Sequence, residues 1–369
     1  MDLPVAVVGG GPIGCAVGLM IPSATVFDAR QYPRDKPCGE GLMPAGAAIL
    51  ESLGISLQQA GFPTIAGVRY RLPGGESVRS DFREGCGFGT RRLRLDALLA
   101  SRAKVVTGVR VLGMRVLEDR VELQTSTGTI SAGTVIGADG LRSTVSRLMG
   151  WTGVPRGRHR FGVVGHLATP TMIPDVEVTL FGEVETYLAP AGKEEVLFAV
   201  LGPRGCLRDR GGSVQGTYRR LLGSARPDLR TAPLVGRLSG AGPFFVRPRA
   251  VSCARVFLVG DAAGFLDPVT GDAMTAGLQQ ARWLARLLTD DPASAPARYR
   301  ALCHHQWRRR LLVTRMALRL GGSDTLSRRA VHGLRRRPVA LQRLLTVNQG
   351  LAGVGLLRPL DWAALLGLA

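Results

Sequence analysis

The chain has 369 residues, 45% of them apolar, and a formal net charge of +20. That length supports a large core in two domains or one two-part fold, and the apolar fraction excludes a disordered chain. Aromatics are only 5%, and of 48 basic residues just three are lysines (Lys36, Lys104, Lys193), with no nucleic-acid-binding motif beside the charge, so no nucleic acid partner is expected.

The six cysteines stand at 15, 38, 86, 206, 253 and 303. No two are spaced as a CxxC pair, so no metal site is expected. The N-terminus has no basic start before its apolar run, and thiols so scattered suit a reducing compartment; a cytoplasmic protein is expected. No apolar stretch of about 18 residues is free of charge and proline, so no spanning helix is expected.

In chain order, "VAVVGGGPIG" reads as a strand over 5–8 followed by Gly9-x-Gly11-x-x-Gly14. Gly9 permits a tight turn, Gly11 lets a pyrophosphate approach the backbone, and Gly14 lets the next helix pack on the strand. Pro12 suits the first helical position, ahead of Ile13, and the helix N-terminus attracts phosphate. "ATVFDA" reads as a second strand ending in Asp28, an acid placed to bind ribose hydroxyls. Asp28 lies only fourteen residues after Gly14, and Pro22 ends the intervening helix early.

The loop "DKPCGEGLMP" (35–44) gathers Lys36, Cys38, Gly39, Glu40 and Gly41. A zinc ligand, a disulfide half, a nucleophile and a cofactor-facing loop are all open readings. The isolation of Cys38 and the reducing compartment remove the first two. Further on, "TRRLRLDALLASRA" sets Arg92, Leu95 and Leu99 at helical spacing. "TVIGADGLRSTVSRLMG" is a strand entering a turn at Asp139–Gly140, with a helix from about Ser143. "RVFLVGDAAGFLDPVTGDAMTAGLQQARWLARLL" is a strand, an acidic turn at Gly260–Asp261, a loop through Pro268 and Gly271, and a long helix over 272–289. Each strand delivers a glycine–acid turn to one sheet edge, where open α/β folds bind ligands.

These four signatures, in this order over about 1–290, resemble the flavoprotein monooxygenase superfamily typified by p-hydroxybenzoate hydroxylase. "KPCGEGLMP" and "GDAAGF" are similar to the geranylgeranyl-reductase-like branch. The Trp-x-Trp-x-x-Pro motif of flavin-dependent halogenases is absent, since "WTGVP" has one Trp. The resemblance implies FAD as cofactor and NADPH or NADH as transient electron donor. It puts Asp28, Ala29 and Arg30 on the adenosine side, Arg92 near the pyrophosphate, and Gly260 and Asp261 at the ribityl and phosphate groups. Pro268, Gly271, Asp272 and Ala273 then run along the flavin ring. Lys36, Cys38, Gly39 and Gly41 lie beside it, and Val111, Asp139 and Gly140 belong to the same cofactor set.

Residues 152–250 alternate apolar and polar, as strands do. The resemblance makes this sheet the roof of a substrate pocket for a small hydrophobic molecule, with His166 and Tyr187 as inward-facing polar rings. From His304 to Arg343 there are eleven arginines and one acid, Asp324. Such basic amphipathic helices either touch an anionic membrane peripherally or close the fold with a solvated face.

The expected fold class is α/β (α+β overall): a Rossmann-type FAD-binding domain (1–64, 91–151, 251–295), an inserted antiparallel β-sheet substrate domain (65–90, 152–250) and a basic C-terminal helical region (296–369). The expected activity is an FAD-dependent monooxygenase that hydroxylates an aromatic or polyketide-like substrate through a flavin C4a-hydroperoxide. The alternative is a reductase saturating C=C bonds of an isoprenoid or lipid, with Cys38 and Glu40 as candidate catalytic residues.

Overall fold

A computed structural model of the chain describes residues 2–153, 159–208 and 212–368. Parts of the expected β-rich region and of "WTGVP", at 154–158 and 209–211, lie outside the described residues.

The first sheet is built on the strand Asp2–Val8, which pairs in parallel with Ala24–Asp28 on one side and Gly128–Gly137 on the other. Val105–Thr107 and Val256–Leu258 extend the sheet outward, again in parallel. Val5 to Val8 are buried because both faces are covered, which is why this strand reads as a continuous apolar run. The helices Pro12–Met20 and Ala273–Asp290 cover one face through Val17, Ala281, Leu284 and Leu287. The antiparallel pair Val111–Val116 and Val121–Thr125 covers the other. The chain's path reverses direction across the sheet at Asp2–Val8, so the carboxyl edge there opens a crevice between two neighbouring turns.

The second sheet has seven strands, in the order Leu234–Ala241, Arg160–Ala168, Glu195–Pro203, Val184–Pro190, Asp175–Phe181, Gly67–Arg71 and Ser77–Asp81. It is antiparallel except where Asp175–Phe181 meets Gly67–Arg71 in parallel. That pair departs from the expected all-antiparallel sheet because the hairpin 67–81 arrives from an earlier chain segment. The two-residue period sorts its faces. Val196, Phe198 and Val200 meet Tyr218, Leu221 and Leu222 of the outer helix Val214–Ala225, while Leu197, Ala199 and Leu201 turn toward the first sheet.

The C-terminal segment forms the helices Ala295–Gly321, Asp324–Arg336, Pro338–Asn348 and Pro359–Leu365. Val313, Val331, Leu341 and Leu345 bury against Val68, Val78 and Val178 of the second sheet. The last helix is fixed by Asp361, which is fully buried and paired with Arg337 and Arg343 at 2.6 Å each. Among the described residues, no helix is long and apolar enough to cross a membrane.

Candidate functional site

The first turn is shaped by close approach. Gly9 has φ +104°, and a Cβ there would stand 2.6 Å from the Ala138 carbonyl oxygen. A Cβ on Gly14 would stand 1.8 Å from the Gly9 oxygen. Neither glycine can gain a side chain without opening the contact between strand, turn and helix. Gly11, Pro12 and Ile13 line an internal cavity of about 270 Å³, and no side chain caps the helix that begins there. Its first-turn amides are therefore left for an anion.

A chain of alternating charges lies beside this turn. Asp28 accepts from the Gly10 amide (2.7 Å), the Arg30 amide (2.8 Å) and Arg34 (2.8 Å). Arg34 also reaches Asp96 at 3.6 Å, and Asp96 holds Arg92 through two contacts of 2.7 and 2.9 Å. Both guanidiniums face the turn: a Cβ on Gly11 would lie 3.7 Å from Arg92 and 4.0 Å from Arg34. The Arg34 Nε is buried without a partner among the described residues. The Tyr32 hydroxyl donates to the Gly10 carbonyl and fills the space over Gly10.

The loop at 35–44 forms the next wall, and Lys36, Cys38, Gly39, Glu40 and Gly41 all line the cavity. Glu40 is 1% exposed and adopts the left-handed region at φ +56°, which costs a residue with a side chain about 1 kcal/mol or more. Five contacts hold it there. Its carbonyl accepts from the Thr90 amide (2.6 Å) and hydroxyl (2.7 Å). One carboxylate oxygen accepts from the Arg92 amide at 2.8 Å, and the other lies 2.8 Å from His166 Nε2. Cys38 Sγ accepts from the Glu40 amide at 3.4 Å. Burial pushes the Cys38 thiol up from its ordinary value despite the nearby Arg92, so it stays protonated rather than becoming a thiolate.

The remaining walls come from Gly140, Gly260, Asp261, the loop Pro268–Gly271 and Ala273. The Gly260 amide donates to Gln280, and Gly271 takes φ +63° ahead of the second helix. Overhead, the second sheet contributes Val164, Ala199, Leu201, Val176 and Val178. Tyr187 lines the cavity with its ring while its hydroxyl donates to the Val269 carbonyl at 2.7 Å. Asn348, from the C-terminal helices, donates to the Thr270 carbonyl at 2.8 Å, and its buried Oδ1 at the cavity has no partner among the described residues.

Several expected site residues do not line this cavity or are engaged with other protein groups. Val111 is buried in the core behind the sheet, because its strand pairs with Val121–Thr125 and turns that side chain inward. Ala29 and Arg30 are exposed beyond the end of the second strand and do not line the cavity. Asp28 is spent on protein donors. His166 does not line the cavity but holds Glu40, which does. Asp139 caps the helix Thr144–Leu148, accepting from the Thr144 amide at 2.6 Å, and burial raises its carboxyl above the ordinary range. Asp272 pairs with Arg310 at 2.6 Å on the far side of the loop.

A family profile described as "FAD binding domain" matches residues 107–296, more than half of the chain. The chain belongs to that FAD-binding family. Two proteins named menaquinone reductase are similar to it. The one from Mycobacterium tuberculosis is 31% identical and the one from Mycolicibacterium smegmatis 28%, each over 325 residues, 77% of this chain and 76% of the relative. The fold is shared with solved structures at lower identity. The flavoprotein/dehydrogenase from Cytophaga hutchinsonii has a TM-score of 0.81 at 15% identity, with coverage of 95% and 93% of the two chains. The flavin-dependent brominase Bmp2 has a TM-score of 0.81 at 15% identity, with coverage of 95% and 94%. The flavin-dependent halogenase CmlS has a TM-score of 0.75 at 20% identity over 85% of this chain, and this chain spans 64% of that protein.

The chain is therefore an FAD-dependent oxidoreductase, with the fold class expected from its motifs. Its crevice offers such a cofactor an uncapped helix start, two guanidiniums, an orphaned Arg34 donor and an orphaned Asn348 acceptor, so the residues present fit the group. Arg34, Asp96, Thr90 and Asn348 were not singled out from the sequence. Only Asp96 carried a local signal, standing at i+4 from Arg92.

Proposed function

We propose that the protein is an FAD-dependent reductase that saturates a C=C bond in a lipophilic, isoprenoid-bearing substrate of the kind its menaquinone-reductase relatives suggest. The observation that carries this reading is the cavity roof. Beyond the turn residues, the roof is mostly apolar, with Val68, Val164, Val176, Val178, Ala199, Leu201 and Phe244; of its two phenols, Tyr70 and Tyr187, the latter spends its hydroxyl on the Val269 carbonyl. An aliphatic chain suits such walls, whereas an aromatic or polyketide-like substrate with several hydroxyls would strand them unpaired. This reverses the order of the two activities expected from the sequence.

Gly11, Pro12, Ile13, Arg34 and Arg92 would hold the pyrophosphate of FAD, and Gly260, Asp261, Lys36 and the loop Pro268–Ala273 its remaining length. Once reduced by NADPH or NADH, bound FAD would supply a hydride to one alkene carbon and return to its oxidised form. The chain's part is to exclude water, orient the alkene and deliver a proton to the other carbon. Two groups carry a proton at the cavity wall. One is the Cys38 thiol, which burial keeps protonated. The other is the Glu40–His166 pair, whose contact of 2.8 Å lets either partner hold it.

The test is product analysis. FAD-loaded protein is incubated in air with NADPH or NADH and a polyprenyl quinone or polyprenol. A product heavier by two hydrogens, with one alkene signal lost, supports reduction. A product heavier by one oxygen supports the hydroxylase reading instead.

A further inference from the structure

A second cavity, about 1270 Å³, lies behind the flavin crevice. The two share Phe244 and the loop at 260–270, whose residues alternate between them. Gly260, Asp261, Phe265 and Pro268 face the flavin side, whereas Ala263, Leu266 and Asp267 face the second cavity.

Its lining is cationic and aromatic. Arg249, Arg300, Arg315 and Arg319 line it, are exposed, and make no ion pair among the described residues. The last three come from the helix Ala295–Gly321, which carries seven arginines and no acid. Trp307 of the same helix forms one wall, with the Arg247 guanidinium 5.3 Å from its ring centroid and Phe245 at 6.4 Å. On the floor, Arg160 pairs with Glu185 and lies 3.7 Å from Asp267. A solvated basic face needs neither a concave site nor a ring between cations. Arg315 and Arg319 stand one turn apart on the same helix, where like charges repel, and a multiply charged anion removes that cost.

We infer that this cleft is a second ligand site, for a nucleotide-type organic phosphate. Its phosphoryl groups meet Arg315 and Arg319, one helical turn apart, its base stacks at the Trp307–Arg247 wall about two to three turns earlier, and Glu185 and Asp267 accept from its hydroxyl or amino groups. The site also touches the flavin crevice mechanically. Asp267 accepts from the Val269 amide at 3.0 Å, and the Val269 carbonyl accepts from Tyr187, which lines the crevice. An occupant that draws Arg160 from Asp267 shifts the loop that carries Tyr187's partner.

The inference is independent of which substrate the flavin site reduces. FAD-loaded protein is titrated calorimetrically with ADP and inorganic pyrophosphate, and mixed with anionic phosphatidylglycerol vesicles. ADP is expected to bind once per chain, more tightly than pyrophosphate. Arg315→Ala/Arg319→Ala should lose about tenfold or more of that affinity, as expected for lost charge-assisted contacts. The surface control Arg102→Ala/Arg110→Ala should not, and the flavin spectrum should be unaltered in both. Absent nucleotide binding, binding unchanged in the double variant, pyrophosphate as tight as ADP, or binding to vesicles alone would each overturn the assignment.

Discussion

Replacing Glu40 separates its structural from its chemical role. Glu40→Ala deletes the carboxylate that accepts from the Arg92 amide and contacts His166, each at 2.8 Å. Both groups are buried and would be left without a partner. Stranding a buried polar group costs about 1–3 kcal/mol, so two cost roughly 2–6 kcal/mol. The backbone gives nothing back, because alanine is as strained as glutamate at φ +56°. Glu40→Gln keeps an acceptor for the Arg92 amide and offers its NH₂ to His166 Nε2, which then accepts. Its cost should be about 1 kcal/mol. Urea unfolding of the FAD-loaded proteins reads these differences. Turnover should follow a different order: the Gln variant keeps its flavin but loses about a hundredfold in rate, the scale of a lost general acid. An Ala variant destabilised by less than about 1 kcal/mol would refute the buried dyad, and a Gln variant at full speed would remove the carboxyl from the chemistry.

Gly14→Ala puts a methyl 1.8 Å from the Gly9 oxygen, so the purified protein should lose its yellow colour while its circular dichroism stays close to that of the parent. Arg92→Lys keeps the charge but loses the paired contact with Asp96; FAD retention, measured by filtration, should fall about tenfold. Burial alone would raise the Asp361 carboxyl, but Arg337, the Arg358 amide and Arg343 hold it at about 2 against an ordinary value of 3.8. A carboxyl lowered by folding contributes fully above its unfolded value and loses that contribution as pH falls toward 2. Asp361→Asn should therefore lower the urea midpoint at pH 6 and flatten its fall below about pH 4.

The turn glycines were legible because their reason is local: a strand, three spaced glycines and a helix start fit together in one stretch. The two-residue alternation of 160–203 likewise gave the second sheet its faces, since one face meets a helix and the other the cavity. What escaped was long-range. His166 reads as an inward polar ring, but its partner is 126 residues away, so nothing near it announces that it holds Glu40. Asp28 reads as a ribose ligand, yet Arg34, just past Pro33, shares one of its oxygens with the Gly10 amide, and the Arg30 amide takes the other. Val111 reads as part of the cofactor set, but its side chain packs into the core behind the sheet, since a one-residue shift in strand pairing decides which face a side chain takes. The arginine-rich tail showed its charge but not the cleft, which exists only where the helix Ala295–Gly321 meets the loops at 182–185 and 244–251.

The central claim is that a flavin on this chain reduces an isoprenoid alkene, and an anaerobic single turnover tests it most directly. The FAD-loaded protein is reduced without oxygen and mixed with a polyprenol that lacks a quinone ring, so that ring reduction cannot stand in for chain saturation. The account predicts that the flavin absorbance returns with the polyprenol present, in step with the loss of one alkene. Flavin that stays reduced until oxygen is admitted, followed by a product carrying a new oxygen, would contradict it.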